Sequence, residues 1–185
     1  MAASWDLVRA HGLAGLAMRD LGERVGMRAQ SIYSYFASKH EIYDAMFLEG
    51  YLAFTTWMNE AAAHEAGTDP RDVAIANMRA FAEFCTADPV RYQLLFQRTI
   101  PEFEPSPESW EVAEAAYEML REQLAPLGVR DQATLDLWTA VMTGLTDQQI
   151  SNDPGGDRWT RLVERAADML LNDLRTLTNA ESEQV

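Results

Sequence analysis

The 185-residue chain reads as all-α, and three observations carry that reading. Apolar residues recur every three to four positions: Trp159, Leu162, Val163, Ala166, Ala167, Leu170, Leu171, Leu174 and Leu177 trace one continuous stripe. The same spacing joins Leu135, Trp138, Met142 and Leu145, and again Ile75, Met78, Ala82 and Cys85. No comparable run of alternating β-branched residues occurs, and no Asn-Gly or Asp-Gly pair marks a hairpin. Glycines, prolines and short polar caps then cut the chain into helix-length pieces, about nine in all.

Each piece has a boundary signal. Gly12 and Gly15 end a short first helix, expected over Ser4–His11. Gly26 separates two more short helices. Ser38 opens a long helix to about His64, closed by Gly67-Thr68-Asp69-Pro70. Thr68 or Asp69 can cap the next helix, with Pro70 in its first turn. Asp88-Pro89 breaks that helix and restarts a short one through Gln97. Pro101 to Pro107 holds three prolines and reads as a loop. Ser106 caps a helix to Leu124, which Pro126-Leu127-Gly128 ends. Two long helices follow, Asp131–Ile150 and Asp157–Thr176, with Ser151 to Gly156 as the turn between them. The tail after Thr178 is polar and expected to fray. The expected division is a domain over 1–47, a larger helical domain over 48–178, and a tail over 179–185.

Composition bounds the function. With 48% hydrophobic residues, 24% charged, ten glycines and seven prolines, the chain folds into a core. A single cysteine, Cys85, excludes an internal disulfide framework and fits a reducing compartment. Asp6 and the lack of an early basic stretch argue against a signal peptide. The longest charge-free apolar stretch, around Leu137 to Thr146, falls far short of the roughly 18 residues of a membrane span. A cytoplasmic protein without a membrane partner is expected. The net charge of −14 argues against non-specific coating of nucleic acid, but it is unevenly spread. Residues 1–40 hold five basic side chains (Arg9, Arg19, Arg24, Arg28, Lys39) and three acidic ones (Asp6, Asp20, Glu23). The remainder is strongly acidic, and Lys39 is the only lysine. Such asymmetry suggests one end near a polyanion.

The informative stretch runs from Ala17 to Phe36. Leu21 and Val25 share one face of a helix about two turns long, and Gly26 can take the positive φ of a tight turn. Met27 can pack back, and Ile32 and Phe36 repeat a buried face at i and i+4. Two short helices crossing about a glycine turn make a helix-turn-helix, with the second helix running to Phe36. Its other face presents Arg28, Gln30, Ser31, Tyr33, Ser34 and Tyr35, hydrogen-bonding groups without a carboxylate. DNA repels acids and rewards donors, so an acid-free face in an acidic chain points to a duplex. On spacing alone, a helical hairpin with a merely solvated polar face stays open.

This region resembles the TetR family of bacterial transcriptional regulators. The resemblance rests on Gly12, Met18-Arg19-Asp20-Leu21, Gly26-Met27, Tyr33-Ser34-Tyr35-Phe36 and Ser38-Lys39, and covers about residues 4 to 50. It implies a regulator, most often a repressor, that binds palindromic operator DNA as a two-fold homodimer and is released by a small effector. On that resemblance Tyr33 and Lys39 would contact phosphate, and Tyr35 the backbone or bases. Arg28, Gln30 and Ser31 would read base edges, and Arg19 belongs to the same DNA-facing set. Arg suits guanine and Gln suits adenine. Three departures stand out. Leu16-Ala17 replaces the family's capping threonine, Gly22 replaces its usual alanine, and the first helix is short, with no basic arm before it.

The resemblance also assigns the C-terminal helices. The last two would pair with their copies in a four-helix bundle, through Leu135, Trp138, Leu145, Trp159, Leu162, Val163, Ala166 and Leu170. An apolar effector pocket would draw on Trp57, Met78, Phe81, Phe84, Cys85, Phe96, Trp110, Tyr117, Trp138 and Met142. Such residues at helical spacing equally suit plain core.

Enzyme signatures are lacking. His11, His40 and His64 are scattered, and no GxGxxG, P-loop or GxSxG occurs. Asp153, Asp157 and Glu164 resemble a calcium loop in spacing, but Arg158 stands where glycine is needed. No catalytic residue, cofactor or metal is expected. The alternative is an all-helical small-molecule-binding protein or enzyme whose degenerate helix-turn-helix no longer binds DNA; a protein-interaction module is a third reading.

Overall fold

A computed structural model describes residues 1–64 and 69–182. Among them are nine α-helices and no strand: α1 (Ala2–His11), α2 (Met18–Arg24), α3 (Ala29–Ile32), α4 (Lys39–His64), α5 (Pro70–Ala87), α6 (Pro89–Phe96), α7 (Pro107–Leu124), α8 (Gln132–Asn152) and α9 (Val163–Ser182). Short 3-10 turns precede α2, follow α7 and precede α9. The expected closure at Gly67-Thr68 lies outside the described residues, as do the side chain of Leu177 and residues 183–185. The backbone stays helical to Ser182, past the expected fraying point.

The chain packs as two compact units that do not follow the linear division at residue 47. One comprises Met1–Ala53 with Asp88–Ala116; the other comprises Phe54–Ala87 with residues 117–185. The reason is local. Leu94 of α6 belongs to the same buried cluster as Trp5, Val8, Leu16, Leu21, Ile32, Ile42 and Met46. Asp88, the N-cap of α6, accepts from Arg91 N at 3.2 Å and from the Arg9 guanidinium at 2.9 and 2.7 Å. Burying helix α6 against α1 and α4 removes apolar surface that neither a three-helix domain nor an eight-residue helix could cover alone.

Most caps fall where the sequence places them. Asp69 accepts from Arg71 N at 2.7 Å, Ser106 from Ser109 N at 3.3 Å, and Asp131 from Thr134 N at 2.9 Å. Ser38 accepts from Glu41 N, while the Glu41 carboxylate reaches back to Ala37 N at 2.7 Å, a capping-box arrangement. The start of the last helix differs. A 3-10 turn over Thr160–Leu162 comes before α9, because buried Gln149 accepts from Trp159 N and Thr160 N and holds the chain in a turn.

In the second unit, α5 packs on α8 and α9 around Met78, Cys85, Leu135, Trp138 and Ala167. Arg71 and Asp168 pair at 2.6 and 3.0 Å. That hydrogen bond holds the Asp168 carboxyl below its ordinary 3.8. The Asp153 carboxylate accepts from Arg158 N at 2.9 Å and is likewise lowered, so it braces the α8–α9 turn and is already engaged.

Candidate nucleic-acid interface

The helix-turn-helix is assembled around a close backbone approach. Gly26 takes φ +71°, and Met27 N donates to Gly22 O at 2.8 Å. A Cβ on Gly22 would lie 2.8 Å from the Met27 carbonyl oxygen and 3.1 Å from Ala29 N. The glycine that looked like a departure is therefore the residue that lets the turn rest on α2. Ala17 caps α2 without a side-chain hydrogen bond, as Leu16-Ala17 implied.

Two local expectations are corrected. The second helix does not run to Phe36: α3 is one turn long, and residues 33–35 form a hydrogen-bonded turn. Ser34 Oγ donates to Ser31 O at 2.6 Å, and Tyr35 N to Ile32 O at 2.9 Å, diverting the backbone from helix. The Met27 side chain is exposed rather than packed back; its amide makes the contact instead.

Ile32 anchors this segment in the core and Phe36 is half-buried. Outward stand Arg28, Gln30, Ser34, Tyr33 (49% exposed) and Tyr35 (71% exposed), with Ser31 half-buried. No acid interrupts the run from Val25 to Ser38. The neighbouring carboxylates have other partners. Asp20 and Glu23 face Arg19 at 3.5 and 3.8 Å, Asp6 faces Arg24 at 3.3 Å, and Glu41 is held by Ala37 N. Arg19 is thus exposed but shared with two acids. Lys39 begins α4, its Nζ 3.4 Å from Ala14 O and over the Tyr43 ring. Tyr43, whose phenol is pushed up by burial, donates to Leu13 O and locks α4 to the turn after α1. All seven residues expected to face DNA lie in the first unit.

Residues 1–46 match the family of bacterial regulatory proteins, tetR family. The HTH-type transcriptional regulator Rv1816 of Mycobacterium tuberculosis is 26% identical over 98 residues, covering 53% of this chain and 42% of the relative. The chain thus spans less than half the length of that relative. Solved structures are similar in fold over nearly the whole chain, two of them as follows. A protein with unknown function from Rhodococcus sp. RHA1 has a TM-score of 0.76 at 18% identity, covering 93% of this chain and 91% of its own. The fatty acid degradation regulator FadR from Bacillus halodurans has a TM-score of 0.72 at 17% identity, covering 92% and 91%.

The residues that the resemblance assigned in the C-terminal helices are mostly buried or half-buried. Of the residues expected to line a pocket, Met78, Phe81, Phe84, Cys85, Trp138 and Met142 are core of the second unit. Trp57 donates to Ala80 O, and Tyr117 joins a polar cluster with Gln132 and Asp136. Only Phe96 and Trp110 of that set line a cavity of about 510 Å³ that belongs to the first unit. Of the expected dimer residues, Leu135, Trp138, Val163 and Leu170 are buried within the chain. Leu145, Trp159, Leu162 and Ala166 are half-buried. Exposed instead are Leu137 and Met169, which the stripe reading missed because they sit beside, not on, the strongest apolar row. No helix among the described residues is long and apolar enough to cross a membrane.

Proposed function

We propose that this chain is a cytoplasmic transcriptional regulator. It binds a palindromic operator as a homodimer and acts as a repressor that a small, mainly apolar molecule releases. The observation that carries this reading is the acid-free segment from Arg28 to Tyr35, projecting from a chain of net charge −14. Arg28 offers a fork to guanine N7 and O6, and Gln30 a donor–acceptor pair to adenine; each such pair discriminates by about 1–3 kcal/mol. Tyr33, Tyr35, Ser31 and Lys39 supply phosphate and groove contacts that fix register. Arg19, shared with Asp20 and Glu23, adds the least.

A one-turn recognition helix reads few base pairs, so useful specificity needs two copies about 34 Å apart on the duplex. A surface for the second copy exists on α8 and α9. Leu137 is 46% and Met169 64% exposed, alongside Ala140, Gly144, Leu145, Leu162 and Ala166. An isologous pairing of these faces makes a four-helix bundle. The name of the Bacillus halodurans neighbour, a fatty acid degradation regulator, supports an apolar effector.

Selection from a random duplex pool at low salt tests the reading. The expected result is enrichment of a short palindrome whose affinity falls log-linearly with salt. No enrichment at any salt overturns it, and ligand binding without enrichment favours a degenerate helix-turn-helix, a reading that the one-turn α3 supports.

A further inference from the structure

Exposed apolar side chains are concentrated where the chain turns into α3. Among the described residues ten large hydrophobics are exposed, and four of them, Val25, Met27, Tyr33 and Tyr35, fall between positions 25 and 35. Single exposed apolar residues are ordinary on a protein surface, whereas a cluster marks a contact. The two tyrosines carry a hydroxyl that water satisfies; Val25 and Met27 carry no polar group. Val25 is 44% and Met27 36% exposed.

The fold does not use the Met27 side chain. Its amide closes the turn on Gly22 O at 2.8 Å, and the nearby core is filled by Leu21 and Ile32 instead. Met27 stands immediately before Arg28, the N-cap of α3. A helix-turn-helix lays the N-terminal residues of its second helix on base edges, so Met27 sits at the reading end. Arg28 and Gln30 beside it are exposed and can address the hydrogen-bonding groups of the major groove. The one feature of that groove that no donor or acceptor can address is the C5-methyl of thymine. An unbranched, polarisable thioether chain is suited to cover it.

The charges around the segment leave weight for such a contact. Of the five basic side chains in residues 1–40, Arg9 is held by Asp88 at 2.7 Å, Arg24 by Asp6 at 3.3 Å, and Arg19 lies near Asp20 and Glu23. Only Arg28 and Lys39 have no acidic partner among the described residues. Few cations are thus available to release counterions from a duplex, and contacts without charge carry a larger share of binding.

We infer that Met27 is a specificity-determining residue that packs on the C5-methyl of a thymine in each operator half-site. The inference rests on the regulator reading proposed above and adds one base to those that Arg28 and Gln30 would read.

Thymine-to-uracil replacement tests it in the duplex enriched from the random pool, one symmetry-related pair of positions at a time. Binding of the intact chain is read by fluorescence anisotropy of the labelled duplex. Deoxyuridine keeps every hydrogen-bonding group of thymidine and lacks only the methyl. At one pair of positions the replacement should weaken the parent about fourfold per half-site, or about fifteenfold over both. Met27→Ala should bind the methylated duplex more weakly by a similar factor, and the same replacement should then change nothing further. Met27→Leu, which stays apolar, should keep most of the methyl sensitivity. Met27→Gln, of similar length but polar, should lose it, and keeps the test decisive if alanine disturbs the turn. Circular dichroism should be the same in all of them, because the side chain lies outside the core. Parent binding indifferent to every replacement overturns the inference, as does a folded Met27→Ala protein with the parent's methyl sensitivity. No enriched duplex at any salt overturns the regulator reading and this inference with it, whereas an enriched duplex indifferent to its methyls overturns this inference alone.

Discussion

Replacing Gly22 by alanine sets two effects of opposite sign against each other. Helix propensity alone favours the change by up to about 1 kcal/mol, since Gly22 sits inside α2. The contact distances oppose it. The new Cβ would fall 2.8 Å from the Met27 carbonyl oxygen, 3.1 Å from Ala29 N and 3.4 Å from Ala29 Cα. These are backbone atoms of the turn that bonds back to Gly22 O, so no side-chain rotation relieves the clash. Overpacking of this kind costs about 1–3 kcal/mol, which outweighs the propensity gain and leaves a net loss of about 1–2 kcal/mol. In a chain of this length that lowers the thermal midpoint by roughly 2–8 °C. The assay is urea unfolding followed by far-ultraviolet circular dichroism, with Gly144→Ala as the reference. At Gly144 an added Cβ meets nothing of its own chain within 4 Å, so the propensity term acts there without an internal clash. A Gly22→Ala protein as stable as the parent would refute the close approach and return Gly22 to a neutral departure from the TetR pattern.

Three further outcomes are expected. Arg28→Glu, or Lys39→Glu, should abolish enrichment in the duplex selection while leaving the circular dichroism unchanged, because both side chains lie outside the core. Asp131, Asp153 and Asp168 have carboxyls held below 3.8 by hydrogen bonds from Thr134, Arg158 and Arg71 respectively. A carboxyl lowered in the folded state stabilises above its unfolded value and loses that contribution as pH falls through the folded one. Thermal midpoints should therefore be level from neutrality to about pH 5 and drop below about pH 4, more gently in Arg71→Gln. At Glu102, whose φ is +59°, glycine should hold or raise stability by up to about 1 kcal/mol, whereas valine should lower it by about 1 kcal/mol or more in urea titrations.

What the sequence made legible was whatever depends on neighbours along the chain. The caps at Asp69, Ser106 and Asp131, the breaks at Pro89 and Pro126, and the exposed face after Gly26 follow from local chemistry, and the structure places them accordingly. What stayed hidden depends on residues far apart. Arg9 and Asp88 meet across 79 positions, and nothing in either local pattern announces the pair. The cavity draws on α4, α6 and a proline-bearing loop, so its rings share no single helical period. An apolar stripe also marks burial without naming what covers it. Leu135 and Trp138 were legible as buried, but the cover is their own chain. The early end of α3 was missed for a different reason: Ser34, whose hydroxyl competes for the Ser31 carbonyl, looks, in sequence, like an ordinary polar position of a recognition helix.

The short helices of the DNA-facing segment have a further consequence. At seven and four residues, α2 and α3 lie well below the length at which a helix holds itself in water. Their geometry is therefore imposed by what they pack against: Leu21 and Ile32 in a cluster completed by Ile42, Met46 and Leu94. Three of those five residues lie outside the two helices, and one is contributed by α6. The angle at which Arg28 and Gln30 would meet a duplex is accordingly a property of residues 1–53 and 88–116 together. Interfaces of this kind shift between discrete packings rather than bending continuously. A change at Leu94, or at Phe103 packed on that cluster, is thus better placed to alter base reading than an equal change on the exposed side of α2, although neither residue would touch DNA.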